Sequence, residues 1–210
     1  MNRVDFSLIS SWVAPGSRVL DLGCEQGTLL RKLADEKQCR IQGVEVDAVS
    51  QLAAIRNGVP VIQMDIDKDL DLFHDASYDV VILSRTLQAV RRPSEVLRQM
   101  MRIAPVGVVS MPNFGYWKNR GRLLAGHAPV SKDLPYAWHN SPNVHFGSCA
   151  DLEALFDEMK LRVAKCVPLS PDGQVSHLPM ATRNWSAGAV LYEIANHANN
   201  VTDQPGETRP

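Results

Sequence analysis

The chain has no long apolar run. Its apolar runs, such as Val80-Val81-Ile82-Leu83 and Val106-Gly107-Val108-Val109, fall far short of the roughly 18 residues that a membrane-spanning helix needs, so no membrane role is expected. Neither sign of charge is in excess. The 22 Lys and Arg stand against 23 Asp and Glu, a net charge of -1, which gives no general attraction for nucleic acid or an anionic surface. Cysteine is scarce and scattered: Cys24, Cys39, Cys149 and Cys166 form no C-x-x-C pair and no Cys/His cluster at zinc-ligand spacing, which argues against a disulfide scaffold or a structural metal. Buried free thiols are expected instead. The first twenty residues lack the basic stretch and apolar core of a secretory leader, so the expected compartment is the cytoplasm, where the sequons at Asn184 and Asn200 carry little meaning. No internal repeat is present.

What the chain does have is 210 residues, 45% of them apolar, enough for one domain with an excursion at roughly 150 residues per domain. Phe6, Ile9, Trp12 and Val13 recur at helical spacing after Asp5, which suits an N-cap, and Pro15-Gly16 ends the pattern. An alternation of strands and helices follows: strand Arg18 to Leu22, helix Thr28 to Lys37, strand Ile41 to Val46, helix Val49 to Asn57, strands Val61 to Met64 and Tyr78 to Leu83, helix Pro93 to Ile103, strand Gly107 to Met111. This is the signature of an α/β fold, a doubly wound Rossmann-like sheet with parallel strands. From Pro112 to Gly147 periodicity fades and aromatic and turn residues dominate, as in a cap inserted into the domain. Helix Ser148 to Met159 and strands Leu161 to Val167 and Gly188 to Ile194 then close the sheet, the last two as an antiparallel hairpin. A single domain over residues 1–195 and a disordered polar tail over 196–210 are expected.

In Asp21-Leu22-Gly23-Cys24-Glu25-Gln26-Gly27 a strand feeds a glycine-containing turn and a helix N-terminus, which lets backbone approach a ligand. Glu45 ends the next strand, where a carboxylate can take both hydroxyls of a ribose. Together these predict a nucleoside pocket at the carboxyl ends of the first strands. Asp65, just past the third strand, lies within reach of an adenine amine, with Ile66 available to pack on the base. Asp67, Asp69 and Asp71 continue an acidic stretch that reads as a solvated loop. Asp79 is expected to hold the glycine turn rather than a ligand. His139 and His145 read as packing or hydrogen-bonding residues of the cap rather than as bases.

The loop Asp21 to Gly27, Gly43-Val44-Glu45 and Tyr78-Asp79-Val80-Val81 resemble class I S-adenosylmethionine-dependent methyltransferases. More narrowly, Ile82-Leu83-Ser84-Arg85-Thr86-Leu87-Gln88-Ala89-Val90, Pro112-Asn113-Phe114-Gly115-Tyr116-Trp117, Leu134-Pro135-Tyr136-x-Trp138 and Pro142-Asn143-Val144-His145 are similar to the MetW family of methionine biosynthesis proteins, from about Arg3 to Val167 and less clearly to Ile194. The resemblance implies a seven-stranded sheet with an antiparallel last strand and a role as partner or activator of homoserine O-acyltransferase. An active S-adenosylmethionine-dependent methyltransferase acting on a small molecule, and an S-adenosylmethionine sensor giving feedback to the acyltransferase, are the alternatives. The end of the fourth strand lacks an Asn/Asp-Pro-Pro-Tyr cluster, which disfavours methylation of a planar amine.

The residues expected to hold S-adenosylmethionine or S-adenosylhomocysteine are Asp21, Gly23, Cys24, Glu25, Gly27, Glu45, Val46, Asp65, Ile66 and Ser84. Glu25 stands where related loops carry a glycine. If the position needs a positive φ, a non-glycine residue costs about 1–2 kcal/mol, and its carboxylate adjoins that of the cofactor, so weakened or absent binding is expected. In the cap, Lys118, Arg120, Arg122 and Lys132 face one acid, Asp133. Trp117, Arg120, Arg122, Tyr136 and Trp138 have the composition of a protein interface, with a lid over the pocket as the competing role and RNA binding third.

Overall fold

The computed structural model describes residues 4–196. Most of the tail expected to be disordered, residues 197–210, lies outside the described residues, while Asn196 ends a strand. Strands β1 (Arg18–Leu22), β2 (Arg40–Glu45), β3 (Val61–Gln63), β4 (Val80–Ser84), β5 (Val106–Pro112), β6 (Leu161–Leu169) and β7 (Ala189–Asn196) form one sheet. Its order is β3-β2-β1-β4-β5-β7-β6. Pairing is parallel from β3 to β5, and β7 enters antiparallel between β5 and β6. The expected β6–β7 hairpin is present, and β7, rather than β6, joins it to the rest of the sheet.

Helices cover both faces: α1 (Val4–Trp12), α2 (Thr28–Lys37), α3 (Ala48–Arg56), α4 (Pro93–Ile103), α5 (Trp117–Leu124), α6 (Cys149–Glu158) and α7 (Arg183–Ser186). Strands buried on both faces read as continuous apolar runs, and β4 shows why. Its Val81 and Leu83 pack into a layer with Val96, Leu97, Met100 and Phe156, and its Val80 and Ile82 pack into the opposite layer with Ile9, Leu30 and Leu33. Pro93 starts α4, where its missing N–H costs nothing, and Ser148 with Asp151 forms a capping box on α6.

Three local expectations are corrected. Asp5 is not an N-cap: it lies inside α1, buried, with Arg85 Nε 3.8 Å from its carboxylate. Asp79 does not hold the glycine turn. It sits at the opposite end of the sheet and accepts from the Arg18 backbone N–H (2.7 Å) and guanidinium (2.7 Å), because β4 runs parallel to β1 and starts beside it. The cap contains a helix, α5, that the sequence concealed: Gly121 and three basic residues interrupt its apolar spacing, and Asn119 is its one buried residue.

Asn113, just past β5, clamps the cap to the sheet. Its Nδ2 donates to the carbonyls of Ala187 (2.9 Å) and Asn184 (3.2 Å), and its Oδ1 accepts from the N–H groups of Gly115 (2.9 Å) and Cys149 (3.3 Å). Gly115 has no room for a side chain, since a Cβ there would stand 2.8 Å from the Asn184 carbonyl. The Pro112-to-Trp117 motif is therefore a joint between cap and sheet.

Candidate functional site

Strand order reverses between β1 and β4, and a cleft opens at the carboxyl ends of the strands beside such a switch point. A cavity of about 670 Å³ lies there, walled by the β1 turn, the ends of β2 and β3, the segment after β4, and the cap. Six of the ten expected ligand residues line it: Gly23, Glu25, Glu45, Val46, Asp65 and Ile66. The other four do not. Asp21 is buried inside β1, and Ser84 meets Ser110, Oγ to Oγ 3.1 Å. Cys24 packs under the sheet, where a Cβ on Gly43 would stand 2.5 Å from its Sγ. Burial first, then the charges of Asp21 and Glu45, push the Cys24 thiol up to about 12, so it stays protonated. Gly27 is a packing glycine: its φ is 71° and a Cβ would stand 2.8 Å from Val59.

Glu45 organises the turn. Its Oε2 accepts from the Glu25 N–H at 2.9 Å, and its Oε1 from those of Val46 and Asp47, each at 2.9 Å. A carboxylate offers about four acceptor sites, so this arrangement leaves Oε2 capacity for one more donor rather than the two expected of a ribose. Glu25 has a φ of 49°. That left-handed turn aims its N–H at Glu45, and it is the conformation for which a glycine is usual. Gly23 also has a positive φ, 76°, and a Cβ would stand 2.7 Å from Thr86 Oγ1, so the first glycine is required on both counts.

The far wall of the cavity went unnoticed in the sequence. Arg85 takes a φ of 58°, held by its N–H donating to the carbonyl (2.9 Å) and hydroxyl (3.1 Å) of Ser110. Its guanidinium reaches Asp133 of the cap at 3.1 Å. Asp133 is buried, its Oδ2 has no hydrogen-bond partner among the described residues, and burial raises its pKa although Arg85 opposes the shift. Gln88, which also lines the cavity, accepts at its carbonyl from the N–H groups of Val144 (2.9 Å) and His145 (3.1 Å), tying the end of the cap to the segment after β4. A polar residue immediately after a strand end was the available signal for Arg85. Asp133 had none, since nothing in sequence pairs residues 48 apart.

A second cavity, about 490 Å³, opens on the cap between α5 and the loop after it, and its walls are mainly Phe114, Leu123, Leu134, Tyr136, Trp138 and Phe146. Tyr136 and Asn143 belong to the walls of both cavities. The five residues expected at an interface divide between two sides of α5. Arg120, Tyr136 and Trp138 line this groove, whereas Trp117 and Arg122 line a separate depression with Lys118 and His127.

Among the described residues no group of His, Cys, Asp and Glu is placed to hold a metal ion, and no helix is long and apolar enough to cross a membrane. The sheet order, the antiparallel β7 and the cavity at the switch point define the class I methyltransferase fold. Solved structures share it: a possible histamine N-methyltransferase from Thermotoga maritima (TM-score 0.66, 16% identity, covering 92% of this chain and 88% of that one), and Synechocystis magnesium protoporphyrin IX methyltransferase with bound S-adenosylhomocysteine (TM-score 0.64, 16% identity, 92% and 83%). The family profile of methionine biosynthesis protein MetW matches residues 3–194, and the chain belongs to that family. It is 35% identical over 208 residues to the bifunctional methionine biosynthesis protein MetXA/MetW of Rhodopirellula baltica, covering 94% of this chain and 33% of that protein. The chain thus spans about a third of the length of that relative. A shorter likeness, 30% over 111 residues (50% of this chain, 44% of the relative), is to a ubiquinone biosynthesis O-methyltransferase of Sodalis glossinidius.

Proposed function

We propose that this protein is a cytoplasmic partner and activator of homoserine O-acyltransferase that retains a nucleoside site for S-adenosylmethionine or S-adenosylhomocysteine. The observation that carries the partner role is the Rhodopirellula relative, whose name joins MetXA to MetW in one bifunctional methionine biosynthesis protein, and the acyltransferase as that partner is what the resemblance to MetW implies. Two functions encoded in one polypeptide are held at high effective concentration, which favours proteins that act together. Membership of the MetW family supports the same pathway.

The cavity fits a nucleoside. Glu45 offers a carboxylate for a ribose hydroxyl, Ile66 and Met64 an apolar wall for a base, Asp65 an acceptor near it, and Gly23 a bare backbone. Methyl transfer relies chiefly on placement of the reactants, so the active methyltransferase is the reading to which a failed partner test would return.

The test is homoserine acylation by the acyltransferase of the same organism, alone and after co-expression with this chain, with co-elution on a sizing column. Co-elution with an acylation rate raised several-fold is expected. Separate elution with an unchanged rate would overturn the partner role and make a screen of methyl acceptors the next step.

Glu25 sets the affinity of the nucleoside site. Glu25→Gly removes both the left-handed strain and a carboxylate at the cavity wall. Two like charges about 4 Å apart in water repel by roughly 1 kcal/mol, so the substitution is expected to tighten S-adenosylmethionine binding about fivefold, with a thermal midpoint no lower than that of the parent. Calorimetry showing equal constants for the two proteins would mean that the Glu25 side chain stands clear of the ligand.

A further inference from the structure

The cap groove carries an inference about how the partner is held, one that rests on the partner reading above. Its walls put bulky apolar groups in water: Trp138 is 81% exposed, Phe146 65% and Leu123 58%. Scattered exposed apolar residues are ordinary, but a contiguous set around one depression marks an interaction site. A site for a small ligand encloses most of that ligand, whereas here the rim residues stand open, as suits side chains delivered on another protein's surface.

Charge indicates what those side chains are. Between residues 113 and 147 the sequence has four cations and one acid, Asp133. That acid is buried and faces Arg85, and Lys118, Arg122 and Lys132 line the depression on the other side of α5, so the charge the cap shows at the groove is the single cation of Arg120. Arg120 is the one charged residue lining the groove. Its Nε donates to the Gly115 carbonyl at 2.6 Å, and its guanidinium lies 5.2 Å from the centre of the Trp185 ring. Those two contacts fix the plane of the guanidinium and leave its terminal N–H groups for an incoming acceptor. A guanidinium fixed in this way is matched by a carboxylate, which can accept two parallel bonds.

We propose that the groove between α5 and the following loop seats a segment of the acyltransferase bearing a bulky apolar anchor beside one or more carboxylates. Trp138 and Phe146 clasp the anchor and Arg120 takes the acid. Trp117 and Arg122, on the other side of α5, do not take part.

The experiment is titration of the purified acyltransferase into this chain and three variants, each first shown to keep the parent's circular dichroism and thermal midpoint. Trp138→Ser and Arg120→Glu are expected to weaken the complex tenfold or more, and Trp117→Ala less than twofold. Affinity of the parent falls with added salt, and that dependence shrinks in Arg120→Glu. Because Arg120 also braces the cap, Trp138→Ser, at a side chain 81% exposed whose ring meets only the edge of the neighbouring His139 among the described residues, keeps the test valid if the arginine variant unfolds. In parallel, 1-anilinonaphthalene-8-sulfonate bound to the free chain is expected to be released as the partner saturates it. A complex of parental affinity in Trp138→Ser, or a dye that stays bound in the saturated complex, overturns the groove and leaves the partner role intact. Self-association of the isolated chain that Trp138→Ser abolishes also overturns it, by assigning the groove to a second copy. No complex with the parent protein removes the partner reading itself, and the groove proposal with it.

Discussion

Arg85→Met is expected to destabilise the fold by about 3 kcal/mol at neutral pH. Removing one member of a buried ion pair costs about 3–5 kcal/mol because the other charge stays desolvated, and the lower end applies because the Arg85 side chain keeps 31% exposure. Methionine retains the stem, and being non-glycine it also retains the strain of the 58° φ, so the loss isolates the charge. The effect depends on pH with a definite sign. Burial already raises the Asp133 pKa from its ordinary value, and Arg85 opposes that shift. Without Arg85 it rises further, and the native state then binds a proton that the unfolded chain lacks. Stability falls with rising pH wherever the native state binds more protons. The deficit of the variant is therefore largest at neutral pH and shrinks as acidity increases toward about pH 4, the ordinary aspartate range. Urea unfolding of both proteins at several pH values measures this. Because Arg85 also lies 3.8 Å from the buried carboxylate of Asp5, the same measurement on Arg85→Met combined with Asp133→Asn identifies the group, and a pH-dependent deficit that persists there would show that Asp133 is not the one left behind.

Glu45→Ala is expected to weaken S-adenosylhomocysteine binding about 100-fold. Hydrogen bonds to a charged group contribute about 1.5–3 kcal/mol each, and tenfold in affinity corresponds to about 1.4 kcal/mol. One direct bond to the ligand and the loss of the turn that positions Glu25 together account for the factor. The second part arises because the carboxylate collects the N–H groups of Glu25, Val46 and Asp47, so alanine frees the loop as well as deleting an acceptor. Glu45→Gln keeps an acceptor and is expected to lose only about tenfold by the same arithmetic. Calorimetry in both the parent and Glu25→Gly backgrounds separates the effects, and an alanine variant within threefold of its parent would exclude Glu45 as a ribose ligand.

The central layers were legible in the sequence because their information is local. Apolar runs mark β1, β4 and β5, Pro93 marks the start of α4, and helix α2 spans Thr28 to Lys37, the stretch expected after the glycine turn. Glu45 and Gly23 were legible for the same reason, each standing at a strand end. What escaped was long-range or disguised. Cys24 and Gly27 lie in the motif yet serve packing, since which side of a turn faces a ligand depends on β2 and α3 arriving beside it. Asp133 meets Arg85 only after the cap folds back, and α5 hides its helical period behind arginines and a glycine. The interface residues were placed together by composition, but the turn of α5 sends Trp117 and Arg120 to different sides.

Tyr136 and Asn143 each form part of two walls, and this arrangement has a thermodynamic corollary. Any shift of these side chains that improves the fit of one cavity to its occupant also reshapes the other. If filling the inner cavity changes the affinity of the groove by some factor, filling the groove changes the affinity of the inner cavity by the same factor, because the two routes round the cycle end in the same doubly occupied state. A factor of ten would need a coupling of only about 1.4 kcal/mol, comparable to one net hydrogen bond. Nucleoside supply and enzyme assembly would then read each other through two shared side chains, with no rearrangement of the sheet.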